Sequence, residues 1–125
     1  MKLSKVNLAE SFGKFNEYWS PRIGGDVGNN QLKLAKFKGE FHWHHHDNED
    51  ELFLVTKGVL LMKLLPESGG DITVNEGEFI IVPKGTKHCP VAVSEEVHCV
   101  LLEPNTTLNT GNVITENTVR DLQRL

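Results

Sequence analysis

The stretch GEFHWHHHDNEDELFLVTKG, residues 39–58, decides how this chain folds. Taken as extended backbone, it alternates its side chains between two faces, so His42, His44 and His46 share one face. His45, Phe41 and Trp43 take the other, His45 toward solvent and the two aromatics in a sheet-packing layer or a subunit interface. The acidic turn at 47–50 then returns the chain at Glu51 into a second apolar run. Two neighbouring imidazoles and a carboxylate brought back by a hairpin make part of a shell for a divalent Zn, Fe, Mn or Ni ion. A further ligand must come from elsewhere, and the chain offers His88.

On either side of this stretch the sequence has the texture of short strands. Alternating or continuous apolar runs at 22–27, 31–38, 52–55, 59–65, 72–74, 79–82, 91–93 and 97–102 are each too short for an ordinary helix. Between them lie turn clusters rich in Gly, Pro and Asn, a pattern that predicts an all-β sandwich or barrel. The ends read differently. Asn7, followed three residues later by Glu10, resembles a helix cap, and Leu8, Phe12, Phe15 and Trp19 fall on one helical stripe, which predicts a short helical segment over 7–19 ending before Pro21. That stripe is expected to lie against the barrel or a second subunit. The segment 104–116 is rich in Thr and Asn with little periodicity, an irregular extension, and Val119, Leu122 and Leu125 behind an Asn117 or Thr118 cap predict a short C-terminal helix.

With 125 residues the chain fits a single domain, 1–125, with a barrel core over about 22–103 and a C-terminal extension over 104–125. A net charge of −4 gives no general attraction to nucleic acid or to an anionic membrane, so neither is an expected partner. No leader-like opening and no bilayer-length apolar run is present, and the expected location is cytoplasmic. Cys89 and Cys99, the only two cysteines, are expected as reduced, buried thiols.

The quoted stretch resembles the first motif of the cupin superfamily: a Gly, His-x-His, four residues, a Glu, six residues and a Gly, here Gly39, His44, His46, Glu51 and Gly58. The gap from Gly39 to His44 is one residue shorter than in the common form. GEFIIVPKGTKHCPVA resembles the second motif through Gly77, Pro83, Gly85 and His88, with Ala92 where that motif carries an Asn. The resemblance implies a double-stranded β-helix, the antiparallel cupin jelly-roll barrel, with one divalent transition metal ion at its mouth held by His44, His46, Glu51 and His88. Cupins commonly pair, so a homodimer is the implied assembly.

The sequence is also similar to small single-domain cupins loosely labelled mannose-6-phosphate isomerase-like. That similarity implies a metal-dependent protein acting on a small polar metabolite, a sugar derivative or a carbonyl or enediol compound. Isomerisation, ring opening or dioxygenation would each suit an ion with open positions. The alternative is a non-enzymatic module that binds a small ligand or the metal itself, and a structural, dimer-forming protein with a vestigial site is a third reading. His42 and His98 are the candidates for a general base, and the residues doing the catalysis are otherwise unassigned.

Overall fold

Eight short apolar runs give eight strands; Glu51–Lys57 and Leu60–Leu64 alternate buried and less buried positions along an extended backbone, while the second half of Asn30–Phe37 is buried on both faces. The computed structural model describes residues 1–125. A short helix α1 (Leu8–Phe12) precedes β1 (Arg22–Val27), β2 (Asn30–Phe37), β3 (Glu51–Lys57) and β4 (Leu60–Leu64). Then follow β5 (Ile72–Val74), β6 (Phe79–Val82), β7 (His88–Ala92) and β8 (Val97–Pro104). All ladders are antiparallel and form two sheets, one in the order β1-β2-β8-β3-β6 and one in the order β5-β4-β7. The molecule is an all-β jelly roll.

Inward side chains of the two sheets meet in one core. Phe53 and Val55 of β3, with Val97, Cys99 and Leu101 of β8, pack with Leu60, Met62 and Leu64 of β4 and Val74 of β5. Both thiols are buried and unpaired. Burial raises the Cys89 thiol to about 11 and pushes Cys99 well above its ordinary range, so both stay protonated. Gly58 shows why its motif needs glycine. At φ 85° a side chain is strained, and a Cβ would sit 2.4 Å from the Glu96 carbonyl oxygen and 2.5 Å from Ser94 Oγ.

Three local expectations are corrected. Helix α1 ends at Phe12 rather than running to residue 19. Asn7 Oδ1 accepts the Glu10 amide at 2.9 Å as a cap, but the Gly13 amide closes on Ala9 and Glu10 and the chain leaves the helix. Phe12 and Phe15 still bury themselves against Leu34 and Val100 of their own barrel. Trp19, at φ 58°, turns inward, held by its amide on the Lys36 carbonyl (2.8 Å) and its indole N–H on that of Lys38 (2.9 Å).

The C-terminal helix is absent, because the groups it would use are engaged elsewhere. The Val119 amide donates to Asn109 Oδ1, the Gln123 carbonyl accepts from Ile23, and the Leu125 amide donates back to Ile23, which leaves a short parallel bridge beside β1. A three-residue stripe cannot offset helix nucleation against bonds already made. The histidine stretch is likewise no regular strand. Between β2 and β3 only two isolated bridges form, Glu40 with Val91 and His44 with His88.

Candidate metal centre

His44, His46, Glu51 and His88 come together at one end of the barrel, all buried, with one donor atom from each lying within 4.8 Å of the others. Each is delivered by a different device. Glu51 opens β3 and points inward with Phe53 and Val55. His88 opens β7, and its amide and carbonyl exchange hydrogen bonds with His44 at 2.9 and 3.0 Å. His46 is set by its carbonyl, which accepts the Gly85 amide at 2.7 Å from the turn that carries the second motif.

The imidazoles have defined tautomers. Nδ1 of His44 lies 2.8 Å from the His42 carbonyl oxygen, and Nδ1 of His88 lies 2.9 Å from that of Thr86. A carbonyl only accepts, so both Nδ1 atoms carry the proton, and in the neutral tautomer this selects, Nε2 is the nitrogen that offers a lone pair. Nε2 of His46 and His88 stand 3.3 and 3.4 Å from Glu51 Oε1. His46 Nε2, His88 Nε2 and Glu51 Oε1 are all buried without a hydrogen-bond partner. Three converging unpartnered donors are costly in a protein interior and are what a cation would satisfy. Opposite donors on a six-coordinate ion are separated by about 4.0–4.4 Å, so a 4.8 Å span closes when each donor moves by a few tenths of an ångström. The residues fit a divalent ion.

The electrostatics agree with that fit. Burial, and then the neighbouring His88, lower the His44 pKa to about 4, so the ring is neutral at physiological pH. Burial opposes ionisation of Glu51, yet contacts with Glu103, His46 and His88 hold its carboxyl well below the usual range.

Glu103, at the end of β8, was not singled out by the sequence. It lies beside Glu51 on the same inner face, and Lys33 of β2 pairs with it, Nζ to Oε1 at 2.8 Å, with both side chains 2% exposed. Burial and the Glu51 charge push the Glu103 carboxyl well above its usual range against the pull of Lys33, and its Oε2 has no partner.

A cavity of about 30 Å³ reaches the cluster. His44, Glu51, Glu103 and Asn109 supply its polar side, while Trp19, Phe37, Phe41, Phe53 and Leu101 supply its apolar side. Trp19 is stacked between Phe37 and Phe41, with centroids 4.4 Å from each. Phe41 is thus inside rather than on the opposite face, and its ring meets the edge of His44 at 5.5 Å. The backbone there is irregular, so strict alternation fails. Trp43 does turn outward.

The other histidines separate from the site. His45 Nε2 pairs with Asp47 at 2.9 Å toward solvent, and His42 Nε2 lies 3.0 Å from Asn117 Nδ2, outside the donor set. His98 sits opposite Cys99 on the outer face of β8, stacked on Phe12 with centroids 4.6 Å apart and bonded to Glu96. It does not line the cavity.

The cupin domain matches residues 33–104, more than half of the sequence. The chain belongs to the cupin family. This cupin is 38% identical to a cupin-2 domain-containing protein of Shewanella frigidimarina, whose crystal structure superposes with a TM-score of 0.74 over 80% of this chain and 94% of that one. Protein NMB1881 of Neisseria meningitidis is 29% identical, with a TM-score of 0.72, over 82% of this cupin and all of that chain. Among curated proteins, YdbB of Bacillus subtilis, described as uncharacterized, is 38% identical over 63 residues, half of this chain and 54% of its own. A 3-hydroxyanthranilate 3,4-dioxygenase 2 of Aspergillus fumigatus is 26% identical over 89 residues, 69% of this chain and 47% of its own. This cupin therefore spans about half the length of these curated relatives.

Proposed function

We propose that this cupin binds one divalent transition metal ion through His44, His46, Glu51 and His88 and uses it to act on a small polar metabolite. The observation that carries the reading is the set of three buried, unpartnered donors facing one another across the barrel mouth. When bound, such an ion supplies Lewis acidity toward a substrate oxygen. The chain's own residues do the rest. The His42 and Thr86 carbonyls fix the His44 and His88 tautomers, the aromatic residues form the apolar side of the cavity, and Glu103 presents a carboxyl oxygen to it.

Cavity size narrows the substrate. About 30 Å³ admits two or three water-sized groups, well below the roughly 150 Å³ that takes up benzene in an engineered cavity. A carbonyl, enediol or carboxylate group fits the innermost part of this cavity, and the activity named for the fungal dioxygenase is not transferred to this cupin.

A non-enzymatic binding module is the second reading, favoured by the position of His98 and His42, neither of which reaches the cavity as a base. We also propose a cytoplasmic homodimer. No helix is long and apolar enough to cross a membrane. On the outer face of the larger sheet Ile81, Leu52, Leu102 and Leu32 pair in one row across four strands, and Ile81 and the nearby Phe79 are 53% and 61% exposed.

The test is metal analysis of protein purified without a nickel column. One equivalent of ion, lost in His88→Ala, supports the reading. Substoichiometric metal whose removal changes neither turnover nor stability refutes it.

A further inference from the structure

A segment that touches the histidine stretch lies outside the region shared with the cupin domain, which ends at residue 104. His44, His45 and His46 belong to no strand, so no ladder fixes the spacing of the two ligands. His44 is bridged to His88 on one side. On the other, His45 is gripped by the tail. Its amide donates to Asn112 Oδ1 at 2.9 Å, and its carbonyl accepts the Asn112 amide at 3.0 Å. One asparagine thus supplies the two hydrogen bonds that a neighbouring strand would otherwise make.

Gly111 allows the grip. At φ 59° it passes so close that a Cβ would lie 2.3 Å from the His45 carbonyl oxygen and 2.9 Å from Cδ2 of the His44 ring. The tail is itself anchored, with Thr110 fully buried, its Oγ1 2.7 Å from that of Thr118, and Asn117 on His42.

We propose that the C-terminal tail is part of the metal site, with Asn112 and Gly111 as positioning residues that hold His44 and His46 at ligating separation. This rests on the metal reading above. Outer partners that orient ligands typically affect affinity by about 10- to 100-fold when removed, and that range is expected here.

The test titrates Co²⁺ into the metal-free full chain, reading affinity by chelator competition and ligand geometry by the visible spectrum. Asn112→Ala should bind about 10- to 100-fold more weakly with an altered spectrum. Asn112→Asp, which keeps the acceptor oxygen, should restore both. Glu116→Gln, exposed on the same tail, should match the wild type. Gly111→Ala should behave as Asn112→Ala or worse. Should it misfold by circular dichroism, the exposed Asn112 and its rescue still decide the question. Wild-type affinity and spectrum in Asn112→Ala overturn the proposal while leaving the metal reading intact. Failure of the wild type to bind Co²⁺ overturns the metal reading and this one with it.

Discussion

Replacing Lys33 with Met removes one half of an ion pair from which water is excluded. Lys33 Nζ and Glu103 Oε1 are 2.8 Å apart, each side chain is 2% exposed, and Glu51 lies against the same carboxyl. Deleting one partner of such a pair typically costs about 3–5 kcal/mol, because the remaining charge is buried without compensation. Against a total stability of about 5–15 kcal/mol for a domain, that is a fifth or more.

The loss should depend on pH in a definite direction. Burial and Glu51 already raise the Glu103 carboxyl well above its unfolded value, and removing Lys33 raises it further. Both folded proteins keep a proton that the unfolded chain gives up near pH 4.3, and they diverge only where wild-type Glu103 titrates, so the variant loses stability relative to wild type as pH rises above that raised wild-type value. Urea denaturation of the metal-free proteins at pH 5 and pH 8 measures both effects. Lys33→Met/Glu103→Leu should recover most of the loss at both pH values, since an apolar pair leaves no unpaired charge at positions 33 and 103. A loss below about 1 kcal/mol, or a double variant no more stable than the single one, refutes the reasoning.

Gly58→Ala should destabilise the barrel by more than about 1 kcal/mol, since its Cβ meets the Glu96 carbonyl and Ser94 Oγ at a positive φ; an unchanged urea midpoint counts against that contact. Metal-free protein should lose stability as pH falls from 6.5 to about 4, where the unfolded chain takes up a proton that buried His44 refuses, by up to about 3 kcal/mol at 1.36 kcal/mol per pH unit. His44→Asn should flatten that slope, and an identical slope in the variant disproves the assignment. Wild type should sediment as a dimer at micromolar concentration and Leu102→Glu as a folded monomer; a monomeric wild type rejects the proposed face.

The strands were legible where punctuation was strong. The runs at 22–27, 72–74 and 79–82 match β1, β5 and β6 end to end, and each is followed at once by Gly28, Asn75 or Pro83. The donor set was legible because His44, His46, Glu51 and His88 carry distinctive chemistry at fixed spacing, and the structure brings the four together. Glu103 was not, because a lone Glu at a strand end becomes significant only when the ladders place β8 between β2 and β3, with Lys33 and Glu51 on the same inner face. Phe41 and Trp19 were misassigned for one physical reason. Periodicity arguments assume regular backbone, and both residues lie where the chain bends to close the barrel mouth. The C-terminal stripe failed because tertiary bonds to Ile23 and Asn109 outcompete a helix of so few turns. Asn112 carried no signal beyond membership of a polar tail.

The central claim is that four buried side chains hold one ion, and anomalous diffraction from crystals of protein prepared without added metal tests it most directly. A single strong peak is expected, bonded to Nε2 of His44, His46 and His88 and to a Glu51 carboxylate oxygen, at about 2.0–2.2 Å from each. A map with no peak between these residues, or with its metal on the exposed His45 and Asp47 pair, would contradict it.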